Sequence, residues 1–430
     1  MPDSCFTSRM IYMKKRILFL TPYFPPEIGA PQSRISELAK KLRERGHEVF
    51  ILTAFPNYPS GAVPKEYAGK FLIKQKVMGL DVYRTYIYAT PNKGFFKRLM
   101  SHISFALASF FAYSKIKGEI APDISIVESP PLFMAFTAIA MKLIYGVDYI
   151  FNVSDVWPDS AVDLGMLKNK FLIKCALWLE SAAYKFSAGV ACVTRGIVDN
   201  IRNKNVEIGK VHFLPNGVDM NFFSVEKHKA GEYDMLIKDF RDKFTLEDKF
   251  CVLYSGTLGI SQNLGFLIDV AAKFSGDGRV RFLIVGDGAE RERLEEKARA
   301  LNLKNIVFER LVPKSHMPAL IALADACVVS LLDIPVFRGA LPSKMYEYMA
   351  MQKPTLMFAA GECVELLQRA NAGLASYPGD ISSAVKNLET LLGNRKKVLE
   401  LGENARKFVG DKFSRDVICD KWEEVLDRLT

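Results

Sequence analysis

The sequence has no uninterrupted apolar run of the roughly 18 to 20 residues that a membrane-spanning helix needs, although 49% of its 430 residues are hydrophobic. Its seven cysteines are scattered without a Cys-x-x-Cys pair, and its five histidines do not cluster. Those absences argue against structural zinc and a disulfide framework, and for a reducing, cytoplasmic setting. A secretory signal is lacking too. Met1 to Met13 is polar and irregular, and the apolar Ile17–Leu20 is too short for the core of such a signal. Met13-Lys14-Lys15-Arg16-Ile17 reads as a natural beginning, with the preceding twelve residues as an added extension.

What the chain does have is size and an uneven charge. Its length suffices for two domains with full cores. Residues 1–220 hold 28 Lys and Arg against 18 Asp and Glu, whereas residues 221–430 hold 30 of each, so the whole net charge of +10 sits in the first half. A basic half attracts nucleic acid, anionic lipid or a polyanionic substrate by its summed field; the other reading is an ordinary solvated surface. Nucleic acid is set aside, because no binding module or aromatic–basic ladder is recognisable.

Short apolar or β-branched runs alternate with helical patterns, the grammar of βαβ units and parallel sheets. Strands are expected at Arg16–Thr21, Glu48–Thr53, Asp81–Ile87, Asp123–Glu128, Tyr149–Val153, Gly189–Thr194 and Val211–Leu214. In the second half they are expected at Cys251–Ser255, Arg281–Val285, Asn305–Phe308, Ala326–Leu331 and Thr355–Phe358. Ser33–Arg45 has helical spacing and ends at Gly46, which suits a C-cap. Pro215-Asn216-Gly217-Val218-Asp219 is a turn-rich hinge. The reading is α/β, with two doubly wound Rossmann-like domains over 14–219 and 220–413 and a cleft between them. A helical tail over 414–430 packs back on the first domain.

Ligands of open parallel sheets sit beyond the carboxyl ends of strands. The loops to inspect are therefore Thr21–Ala30 with Gly29, Ser255-Gly256-Thr257-Leu258-Gly259, and Gly286-Asp287-Gly288. The most informative stretch is Pro342-Ser343-Lys344-Met345-Tyr346-Glu347. Its first residues mark a helix start, with Ser343 as N-cap, whose unpartnered N–H groups suit a phosphate. Lys344 adds a cation there. Glu347, one turn on, can grip two neighbouring hydroxyls such as those of a ribose; the plainer alternative is an i,i+3 pair with Lys344.

Two other places stay open between readings. Asp155 follows the Tyr149–Val153 strand and either orients a substrate hydroxyl or serves an Asx turn or N-cap, with Asp159 as the second choice. Lys93–Tyr113, aromatic and led by a basic cluster, either covers its sheet as a core helix or lies in a bilayer interface.

The chain resembles the large retaining glycosyltransferases of family 4, which have the GT-B fold. Within them it is most similar to bacterial surface-polysaccharide transferases of the N-acetylfucosamine and colanic-acid type. The likeness spans nearly all of residues 14–430. It rests on Gly46-His47-Glu48-Val49, Ser154-Asp155-Val156-Trp157-Pro158-Asp159, Pro215–Asp219, Tyr254–Gly259, Val285–Gly288 and Pro342–Ala350. It implies a nucleotide-sugar donor, UDP-linked, held mainly by the C-terminal domain through Gly256, Thr257, Arg310, Val312, Ser343 and Glu347, with Gly29 contributed by the first domain. Glu27 and Asp159 face the acceptor, a polyprenyl-linked glycan at the inner membrane face. Asp155, Lys344 and Arg338 carry catalysis, with no metal or cofactor and retention of anomeric configuration.

Two departures stand out against that family. The first acid of its paired-glutamate motif falls at Gly339. The usual Arg and Lys after the Gly256 loop are replaced by Ile260, Gln262 and Asn263. Charge on the leaving diphosphate then falls to Arg338 and Lys344, with Arg310 and Arg34 behind them. The alternatives are a nucleotide-sugar epimerase of the same architecture and an inactive donor-binding subunit.

Overall fold

The computed structural model describes residues 13–27, 29–58, 60–90 and 94–430. The readings of residues 1–12, and of Ile28 and Lys93 within their segments, fall outside the described residues.

The chain divides into two compact units. The first is residues 1–193 and 197–214 together with Ile418–Thr430; the second is Thr194–Gly196 and Pro215–Val417.

The first unit opens with β1 (Arg16–Leu20), α1 (Ala30–Glu44), β2 (Glu48–Ala54), β3 (Leu72–Val77) and β4 (Leu80–Thr85). There follow α2 (Phe95–Ile120), β5 (Ile124–Ser129), α3 (Met134–Tyr145) and β6 (Asp148–Val153). It continues with α4 (Asp159–Asp163), α5 (Lys170–Phe186), β7 (Gly189–Cys192), α6 (Arg195–Arg202) and β8 (Val211–Phe213). The sheet order is β3-β4-β2-β1-β5-β6-β7-β8, parallel except for β3, which pairs antiparallel with β4. The order reverses between β1 and β5, so the loops after those two strands flank the place where doubly wound sheets bind ligands.

The helices of this unit form because each carries an apolar face that only the sheet can cover. On α2 that face is Phe105, Ala112, Tyr113 and Ile116; with Ala138 and Met141 of α3 and Leu179 and Ala183 of α5 it fills one side of the sheet. Asn169 caps α5 by accepting from the N–H groups of Phe171 and Leu172, at 2.9 and 3.2 Å.

The second unit begins with α7 (Val225–Lys229) and α8 (Asp234–Phe244). Its sheet grows from β9 (Phe250–Ser255), α9 (Leu264–Lys273), β10 (Val280–Val285), α10 (Arg291–Ala300), β11 (Ile306–Glu309), α11 (Met317–Leu323) and β12 (Ala326–Ser330). Next come α12 (Pro335–Arg338), α13 (Ser343–Ala350), β13 (Thr355–Phe358), α14 (Glu362–Ala370) and β14 (Gly373–Ser376). Three helices close the chain: α15 (Ile381–Gly393), α16 (Arg395–Phe413) and α17 (Arg415–Leu429). The order β11-β10-β9-β12-β13-β14 is wholly parallel and reverses between β9 and β12.

The end of α17 completes the first unit. Ile418, Cys419, Trp422, Val425 and Leu426 are buried. Arg45, just past α1, donates to Asp420 at 2.5 Å and also to Glu423. The Lys15 N–H donates to His47 Nδ1 at 3.1 Å, which leaves the proton on Nε2 to bond Glu423, also at 3.1 Å. At Gly189 an added Cβ would lie 2.8 Å from Leu429, so β7 and the last turn of α17 pack closely.

Candidate functional site

The site is clearest in the second unit. The Gly256 loop leaves the end of β9, while α12 and α13 follow β12, so the two segments flank the reversal of strand order. Tyr348 on α13 fastens them together. Its hydroxyl receives the Ser255 N–H at 3.0 Å and lies 3.0 Å from Ser255 Oγ. The loops after β9 and β10 touch backbone to backbone. A Cβ on Gly286 would come 1.8 Å from the Gly256 carbonyl oxygen, and one on Gly288 would come 2.3 Å from that of Leu258. Gly256 itself has φ +132°, a region that L side chains rarely enter.

Lys344 points into this corner. Its ammonium lies 3.8 Å from the centroid of the Tyr254 ring, and a Cβ on Gly256 would sit 2.7 Å from its Nζ. The Tyr254 hydroxyl in turn donates to the Thr257 carbonyl at 2.6 Å. Some of the Lys344 side chain reaches solvent, but the surroundings of its ammonium are dense. Desolvation there lowers its pKa to about 7, against an opposing pull from Glu347.

Helix α13 begins one residue earlier than the sequence suggests. Pro342 occupies the N-cap and Ser343 the first helical position, with no side-chain cap. Proline fits there because its fixed φ leads into a helix without requiring an amide donor. Ser343 and Lys344 thus lie in the first turn, where N–H groups have no intrahelical acceptors.

Arg338 is exposed and already paired. It donates to Asp333 at 2.7 and 3.0 Å, and Tyr377 donates to the same carboxylate. That partnership raises the Arg338 pKa and holds Asp333 at about 2. Arg310 and Val312 follow β11 at the edge of the sheet; Arg310 is exposed.

Gly339, where the family resemblance implies an acid, has a physical reason to lack one. An added Cβ would lie 3.0 Å from the Gly196 Cα, and one on Gly196 would lie 2.5 Å from the Gly339 Cα. Two glycine backbones touch here within the second unit. Beside them Glu362, buried at the start of α14, accepts from the N–H groups of Arg195 and Gly196 at 2.8 and 2.7 Å.

In the first unit the expected acceptor residues are held by the fold. Glu27 is buried and receives the N–H groups of Asn57 and Tyr58, each at 2.8 Å, and of Phe24 at 3.3 Å. Burial raises its pKa and those donors pull it back. Asp159 accepts from Lys204 at 2.8 Å and Asn200 at 3.2 Å, and Lys204 also meets Glu180 at 2.7 Å. Both carboxylates are thus already engaged by partners within the fold.

Asp155 is exposed by surface area, yet its carboxyl group is crowded enough for desolvation to raise its pKa. It accepts from Ser160 Oγ at 3.1 Å. Pro158, not Asp155, stands at the N-cap of α4. Gly29 is the N-cap of α1, at the reversal of this sheet.

Arg34 was legible as a reserve cation, but its partners and several other residues were not. Arg34 on α1 pairs with Glu128 of β5 and donates to Ser154 at 2.7 Å, while Asn152 donates to Glu128 at 2.7 Å. A polar cleft nearby in sequence is lined by Tyr23, Tyr58, Thr90, Arg98 and His102. Burial and the Arg98 charge lower the His102 pKa to about 4. The sequence signal for Glu128 and Tyr254 is their place near the carboxyl ends of strands.

Residues 29–217 match the Glycosyl transferase 4-like domain and residues 237–408 match Glycosyl transferases group 1. The chain belongs to this two-domain class of glycosyltransferases. A relative in Escherichia coli strain K12, WcaI, is named as a colanic acid biosynthesis glycosyl transferase; it is 28% identical over 78% of this chain and 81% of its own length. The fold is similar to that of sucrose-phosphate synthase from Thermosynechococcus elongatus, with a TM-score of 0.75 and 16% identity over 97% of this chain and 99% of that one. It is also similar to Anabaena Alr3699/HepE solved in complex with UDP, with a TM-score of 0.69 and 16% identity over 97% and 100% of the two chains. With these neighbours it shares two Rossmann-like parallel sheets, the GT-B fold. Among the described residues no helix is long and apolar enough to cross a membrane.

Proposed function

We propose that this glycosyltransferase moves a sugar, an N-acetylated hexose or deoxyhexose, from a UDP-linked donor to a polyprenyl-linked glycan, with retention of configuration, in surface-polysaccharide assembly. The observation that carries the donor half is the placement of Lys344 and the first turn of α13 against the Gly256 loop at the strand-order reversal. A diphosphate there meets first-turn N–H groups and an amine already in place, which carries its charge once protonated. Ser343 lies in that first turn, and Glu347 is the ribose ligand one turn on. Gly256 and Thr257 let the donor approach, with Arg310 and Val312 at the margin of its site. Arg338 joins by exchanging Asp333 for phosphate oxygens.

Protein cations do the work of a metal in this reading, and no cofactor takes part. Asp155 orients a substrate hydroxyl. The UDP bound by the Anabaena structure supports the base, and the name of the E. coli relative supports the pathway class. A lipid-borne acceptor places the enzyme on the inner face of the cytoplasmic membrane.

A thermal-shift panel of UDP-, GDP- and ADP-sugars tests the donor, because a ligand that binds only the native state raises its melting temperature. Stabilisation by UDP-sugars alone is expected. Incubation with UDP-N-acetylglucosamine and no acceptor should leave the sugar unchanged; a new epimer would overturn transfer as the activity.

A further inference from the structure

Helix α2 is apolar on two opposite faces. One face covers the sheet. On the other side, Phe96, Met100, Leu107 and Phe111 fall within an arc of roughly 60° at 100° per residue, and each is between 56 and 72% exposed. A helix apolar all round is ordinarily buried in a core or in lipid.

Its neighbour α3 packs on the same side of the sheet and has one charged residue, Lys142. It exposes Phe136 and, at its far end, Leu143 and Ile144. Beyond α3 lies α5, where Phe171 and Trp178 are 72 and 66% exposed. Three helices side by side thus carry large apolar side chains outward, more than a water-exposed surface ordinarily tolerates in one place.

The charges around them are mainly basic, although Lys142 is paired with Asp148 at 2.6 Å. Residues 164–178 contain Lys168, Lys170 and Lys174 and no acid. Along α2 the basic residues are Lys97, Arg98, Lys115 and Lys117; its single acid, Glu119, is paired with Lys74. Lys115 and Lys117 lie over the rings of Phe71 and Tyr145, at 4.8 and 4.5 Å. Phe and Trp with a lysine rim is the composition of segments that lie in a bilayer interface. A second copy would bring two lysine rims together, whereas anionic headgroups complement them.

We propose that the outer faces of α2, α3 and α5 dock on an anionic lipid bilayer. This deepens the reading of a lipid-borne acceptor, and binding tests it without any transfer reaction. Trp178 supplies the probe, since Trp422 is buried and Trp157 is partly buried against the core. The full chain is mixed with vesicles of phosphatidylglycerol and phosphatidylcholine in equal parts, and with phosphatidylcholine alone. Expected are co-sedimentation with the anionic vesicles and a blue shift of emission that Trp178→Phe removes. The combined Phe96→Ser, Leu107→Ser, Phe111→Ser variant should lose sedimentation while keeping its thermal shift with UDP. Equal binding to both vesicle types, or sedimentation unchanged in the triple variant, overturns the proposal. Self-association that the triple variant abolishes overturns it too and assigns the face to a second copy. Loss of the UDP shift in the unaltered chain counts against the donor reading alone.

Discussion

The Lys344 ammonium rests on the Tyr254 ring, 3.8 Å from its centroid, beside a glycine that leaves it just enough room. The aromatic face stabilises a cation that has lost most of its water, and a diphosphate would give it a stronger partner. A basic group is thereby held in place at the donor corner before the donor arrives.

The first prediction concerns pH. With a pKa of about 7 against the ordinary lysine value of 10.5, Lys344 is mostly neutral at pH 8 and must take up a proton to face a diphosphate. UDP affinity should fall by up to about tenfold per pH unit above 7, until the pKa of the complex is reached. Calorimetry in buffers of different ionisation enthalpy should register proton uptake, and Lys344→Met should abolish it. The stability effect has a definite sign. Unfolding takes up a proton between about pH 7 and 10.5, so this residue makes the fold more stable as pH rises through that window, and Lys344→Met removes the slope.

Glu347 should read the ribose. Glu347→Ala should weaken UDP about 10- to 100-fold, the range expected for hydrogen bonds to a charged group. In that variant UDP and its 2′,3′-dideoxy analogue should bind alike. A preserved preference for the hydroxyls would reassign Glu347 to the helix.

The glycine contacts predict where the site refuses side chains. Gly286→Ala must displace the Gly256 carbonyl, a backbone atom, and should cost about 1–3 kcal/mol or more. Gly339→Glu, which introduces the acid that the family resemblance implies, should lower the melting temperature without raising turnover. A gain in turnover would show that Gly196 can yield.

Lys204 neutralises two carboxylates at once, Asp159 and Glu180. Lys204→Met should cost about 1–3 kcal/mol, because it leaves the buried Glu180 carboxylate without its charged donor while Asp159 stays partly exposed. Asp159→Asn should leave the acceptor KM near its original value while lowering denaturant resistance. A large rise in KM with stability intact would return Asp159 to the acceptor site.

Much of this architecture was legible because periodicity is local. The expected β5, β6, β9, β10, β12 and β13 lie within a residue or two of those observed. Leu72–Val77 escaped notice because its alternation is half lysine and glutamine, as suits an edge strand with one wet face. Gly373–Ser376 has no β-branched residue at all and is a strand only because β13 pairs with it. The α13 start was legible to within one residue. Its contact with Tyr254 was not, since about ninety residues separate the two and only the sheet order joins them. Glu27 and Asp159 looked like free acids because sequence shows a carboxylate and hides its donors.

The last turns of α17 have a consequence for how the chain is made. Trp422, Leu426 and the Glu423 anchor for Arg45 and His47 are synthesised after the whole of the second unit. The first unit therefore leaves the ribosome with an uncovered seam, while the second emerges whole. In a cell, the half of the molecule born first is the half completed last.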